Sequence, residues 1–216
     1  MKVRLWQGPV AAAAAVGLGA MLPTRRVGPR GRAALAAGAG IGAVLLARAS
    51  GLDRTALGLD PSRIRAGLRW GGVAAAVIGG AYLSALTVPV LRARFVDETG
   101  GGRDDFYEWI GVHIPMGTVL AEELLFRGVL TTLIGPFPQA VVFGLWHVRP
   151  ALLAGDSVPG TVLVTGLSGL VFAWLRRGSG SVLAPALAHL ALNVGGAVAV
   201  RVATAARTGD EKHGGT

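Results

Sequence analysis

Apolar residues in this chain come in long blocks, not at the alternating period of a strand. Seven blocks stand out: Pro9 to Leu22, about 33 to 47, Trp70 to Leu91, Phe106 to the Pro136-Phe137-Pro138 breaker, Gln139 to Leu153, Val158 to Leu175, and Ser181 to Val200. A bilayer core is spanned by about 20 apolar residues in a helix. The pattern therefore predicts an all-α, polytopic transmembrane helical bundle of about seven membrane helices, with six or eight as the neighbouring counts. A single integral membrane domain over 1–216 is expected, with no soluble domain before or after it. The stretch Gly51 to Arg69 is different: Arg, Asp and Pro61 interrupt its leucines, so it reads as an interfacial segment leading into a helix. Trp70 suits headgroup level. A polar loop is expected from Arg92 to Asp105, centred on Gly100 to Gly102, and a loosely held polar tail over 201–216. Lys2 and Arg4 before a short apolar run resemble a secretory signal. No small-x-small cleavage site precedes a soluble region, and a second run follows, so the first block is read as a membrane helix.

Composition sharpens this picture. Of 216 residues, 52% are hydrophobic and 15% charged, against roughly a quarter charged in soluble domains. Mean hydropathy is +0.55. The net charge of +9 comes from arginines at the ends of the apolar blocks, where they face lipid headgroups. Basic stretches interleaved with aromatics are missing, so no nucleic-acid partner is expected. The expected partners are the lipid bilayer and a membrane-bound protein or peptide. Arg25, Arg26, Arg30 and Arg32 place one loop inside the cell, and Arg54, Arg63, Arg65 and Arg69 place the next one there too. Both cannot hold across one spanning helix, so charge does not decide orientation. Cysteine is absent, which excludes disulfides, thiolate ligands and a cysteine nucleophile. Abundant Ala and Gly allow close helix approach and suit a GC-rich genome, hence a bacterial cytoplasmic membrane.

Some residues do not belong in lipid. The fourth block holds Glu122, Glu123 and Arg127. Each charge costs about 2.5 to 3.5 kcal/mol at mid-bilayer on insertion scales, so they must pair or face protein. Glu123 and Arg127 are four apart and share a helix face, as an ion pair would. Glu122 lies about 100° around the axis from Glu123 and has no local cation, so it is the candidate acid or base. The fifth block carries His147. The seventh carries His189 and Asn193 on one face, with Pro185 expected to bend that helix. Convergence of Glu122, His147, His189 and Asn193 in one cavity would satisfy three helices at once. His113, Trp146, Asp156 and His213 are assigned no chemistry.

The ordered set Glu122-Glu123-Leu124-Leu125-Phe126-Arg127, Phe143-Gly144-Leu145-Trp146-His147 and His189-Leu190-Ala191-Leu192-Asn193 resembles the EExxxR, FxxxH and HxxxN motifs of the CPBP family. That family covers CAAX-type prenyl endopeptidases and bacteriocin-processing or immunity proteins, also called Abi. The resemblance covers about 106–200, which would be the catalytic helices. It implies an intramembrane endopeptidase in which Glu122, assisted by His147, activates water while His189 and Asn193 bind the oxyanion. Glu123, Arg127 and Phe143 would support the site. The family is often labelled metalloprotease, and Glu122, His147 and His189 would be the ligands of a zinc ion. The HExxH signature is absent, and a Glu–His base needs no metal, so both readings stand. The alternative is a non-proteolytic immunity protein, scaffold or small transporter, since intramembrane Glu and His also build proton relays.

Overall fold

The computed structural model describes residues 7–22, 27–97 and 102–213; Lys2, Arg4, Arg25, Arg26, Gly100 and Gly101 lie outside them. All seven expected blocks are helical, and no strand occurs among the described residues. The helices are α1 (Gln7–Met21), α2 (Pro29–Ala49), α3 (Ile64–Thr87), α4 (106–134), α5 (Pro136–Trp146), α6 (Val148–Ala154), α7 (Val158–Ser179) and α8 (Leu183–His213). Four stretches are long and apolar enough to cross a membrane: Pro29–Ala49, Pro61–Thr87, Val158–Ser179 and Leu183–Gly209. Large apolar side chains face outward along them, among them Leu45, Leu46, Val73, Val77, Leu163 and Val171. Such a surface is stable against hydrocarbon and not against water. The protein is an integral membrane protein built as an all-α bundle.

Small residues bring α2 onto α4. The buried positions of α2 are Ala33, Ala36, Gly40 and Ala47, close to the three-and-four spacing of one helix face. A side chain added at Gly40 would meet the Ala121 carbonyl oxygen at 2.7 Å. Backbone contact at that point sets the depth of Glu122, the next residue. On the other side of the bundle α3 packs on α8, where Gly71 lies against Ala184 and Leu187, and the Tyr82 hydroxyl donates to the Leu192 carbonyl at 2.9 Å.

Several boundaries differ from expectation, each for a local reason. The interfacial stretch after Gly51 is a folded turn with a buried plug. Leu57 is 0% exposed and packs with Ala47 and Val129. Gly58, at φ +71°, lets the turn reverse, and its carbonyl accepts from the Val182 N–H at 3.0 Å. Arg176 of α7 donates to the Ala56 carbonyl at 2.9 Å, and the Thr132 hydroxyl does so at 2.8 Å. The turn thus ties α2, α4, α7 and α8 together. Asp60 accepts from the Ser62 N–H at 2.9 Å, so the chain turns helical at Pro61 and α3 begins at Ile64, ahead of Trp70. The expected tail does not begin at Arg201, because α8 continues to His213, held where Thr204 accepts from the Asp97 N–H at 2.9 Å. Pro185 breaks no helical hydrogen bond. It sits in the first turn of α8, where its missing N–H has no intrahelical partner to lose, and the carbonyl of Ser181 four residues back accepts from the Ser179 hydroxyl at 3.1 Å.

Candidate active site

Helix α4 is wide where it carries the charges. Over Trp109–Leu120 and Glu123–Leu130 its hydrogen bonds reach five residues back, as in the Thr131 N–H to Phe126 carbonyl contact. Wide turns of this kind are frequent at functional sites. They also reduce the angle between successive side chains. Glu122 and Glu123 therefore do not point to separate neighbours, as regular α geometry implies. Both reach the same imidazole.

That imidazole is His189. Its Nδ1–H donates to Glu123 Oε1 at 2.8 Å, since an ionised carboxylate only accepts. Its Nε2 lies 3.9 Å from Glu122 Oε2. Glu123 Oε1 is also 3.1 Å from Arg127 Nη1, so the expected pair forms and has a second partner. All four groups are buried: Glu122 is 6%, Glu123 2%, Arg127 0% and His189 5% exposed. Counted with His189 protonated they sum to zero charge; with it neutral, one negative charge is left over.

Aromatic rings complete the wall. The Arg127 guanidinium carbon lies 4.1 Å from the Phe143 ring centre and 4.9 Å from that of Phe172, in range for cation–π attraction. Phe172 stacks on His189 at 5.0 Å and 27°. Trp146 Nε1–H donates to Glu122 Oε1 at 3.1 Å. Glu122 Oε2 has no hydrogen-bond partner and is buried.

His147 and Asn193 stand one step back. The His147 Nδ1–H donates to the Phe143 carbonyl at 2.8 Å, which leaves Nε2 bare, and the ring packs edge-on against Phe143 at 4.8 Å. Phe143 in turn lies 6.3 Å from His189. His147 makes no direct contact with either carboxylate. Asn193, half-buried and one turn beyond His189, has no hydrogen-bond partner among the described residues. Among those residues no three His, Cys, Asp or Glu side chains are grouped so as to hold a metal ion. The Nδ1 atoms of both histidines are already committed to protein acceptors.

Residues 106–195 match the family model described as Rce1-like, type II CAAX prenyl endopeptidase Rce1-like. The match covers the helices from α4 into α8, less than half of the chain, and shows a likeness to that family in this segment. No curated protein and no solved structure matches it. At the family level this likeness supports a CAAX-type intramembrane protease. The matched segment runs from the first turn of α4 through both histidines and Asn193, and so spans every residue placed above. Two residues of the site, Trp146 and Phe172, were assigned no role from the sequence. Trp146 was legible in principle, because a buried indole N–H usually finds an acceptor. Phe172 on α7 belongs to no motif and carries no polar signal.

Proposed function

We propose that the protein hydrolyses a peptide bond of a membrane-associated protein or peptide, with Glu122 as the general base. The observation that carries this reading is the buried, unpartnered Oε2 of Glu122 opposite His189 Nε2 at 3.9 Å. That gap is too long for a direct hydrogen bond and suits a bridging water. Glu122 takes a proton from this water as its oxygen attacks the scissile carbonyl carbon. The developing oxyanion receives hydrogen bonds from His189, in its imidazolium form, and from the free amide of Asn193. Glu122 then returns the proton to the leaving amine as the carbon–nitrogen bond breaks. His147, with Nε2 bare, assists in orienting the water. Glu123 fixes the imidazole of His189 and Arg127 balances its charge. This chemistry needs no metal, and the donor set does not form a three-ligand cage, so no step is routed through zinc.

The test uses the purified protein in liposomes with a fluorogenic farnesylated CAAX peptide. Wild type should cleave it, and Glu122→Gln should lose roughly a hundredfold or more in kcat, the range of general-base catalysis. Full activity in Glu122→Gln would overturn the mechanism. Failure of the wild type to cleave would overturn the lipid-modified peptide as substrate. A cellular phenotype that survives Glu122→Ala and His189→Ala would favour a non-proteolytic role.

A further inference from the structure

A cavity of about 330 Å³ lies between α2 and the first half of α4. Its outer wall carries the exposed side chains of Arg32 and Arg103, and Trp109, Thr118 and buried Trp146 also line it. Trp146 is the one lining residue that touches the Glu122 carboxylate. Its ring is clamped: α1 presses on it at Gly19, where an added side chain would meet the indole at 2.8 Å, and Phe126 stands edge-on at 5.5 Å. A clamped donor on Oε1 leaves only Oε2 of Glu122 free.

We propose that Trp146 is a positioning residue that aims Glu122 Oε2 at the reacting water. The inference rests on Glu122 being the base. The indole N–H turns the carboxylate without touching substrate, and the ring face closes the cavity.

Trp146→Phe keeps a ring at the wall and removes the N–H. On the farnesylated CAAX peptide it should lower kcat about ten- to a hundredfold, the cost of a misplaced catalytic group, with KM and thermal stability unchanged. A wild-type kcat, a loss carried by KM alone, or a parallel loss of stability would each overturn the positioning role. A second arm needs no turnover. The Trp146 indole N–H resonance, assigned by its absence in Trp146→Phe, should move in Glu122→Gln, and an unmoved resonance overturns the contact. Full activity in Glu122→Gln removes the mechanism beneath this inference, whereas inactive Glu122→Gln beside unimpaired Trp146→Phe removes this inference alone.

Discussion

Glu123 holds two partners with one oxygen. Its Oε1 meets Arg127 at 3.1 Å and His189 at 2.8 Å, so replacing it strips a cation and an imidazole together. Glu123→Gln should destabilise the protein by about 3 to 5 kcal/mol, as for other buried pairs that lose one member; thermal unfolding in detergent measures this. Arg127 then has only ring faces beside it, because its nitrogens make no hydrogen bond. The pair itself was readable from the four-residue spacing. Its second partner was not, since His189 lies 66 residues away and no local rule relates the two. Glu122 was expected beside His189 and lies 3.9 Å from it; that Glu123 reaches the same ring was not expected, because the wide turns of α4 arise from backbone bonding that no residue type in the motif announces.

At the scale of elements, the approach of α2 to α4 sets where the carboxylates sit. Gly40 touches the Ala121 carbonyl, one residue before Glu122. Gly40→Leu should force the two helices apart, cost about 1 to 3 kcal/mol by overpacking, and lower kcat more than it raises KM. Unfolding and kinetics on the same preparation check both. The blocks of hydrophobicity placed the helices, because length and apolarity are local properties, except that the fifth block is two helices, α5 and α6, divided at His147. The boundaries were less legible where tertiary contacts override them. The Leu57 plug and the Arg176 contact at Ala56 make a folded turn from a segment whose charges suggested an interface. Thr204 and Asp97 hold α8 past Arg201, where polarity alone suggested a loose end.

The long apolar helices show lipid an apolar exterior, and the three charges of α4 sit in an interior cluster with His189. Hydrolysis by that cluster alone predicts that activity survives chelation. Extensive treatment with a strong chelator should leave cleavage of the CAAX peptide unchanged, and elemental analysis of the active protein should find no stoichiometric zinc. Loss on chelation with recovery on adding zinc would refute it.

The cluster also orders the making of the protein. Glu122, Glu123 and Arg127 leave the ribosome before His189 is synthesised. Until then α4 carries one carboxylate more than its Arg127 balances and is costly to release into hydrocarbon. The cheapest history retains α4 in a wet or proteinaceous shelter until α8 arrives and closes the charge. Assembly of the site and insertion of the helix that bears it are then one event.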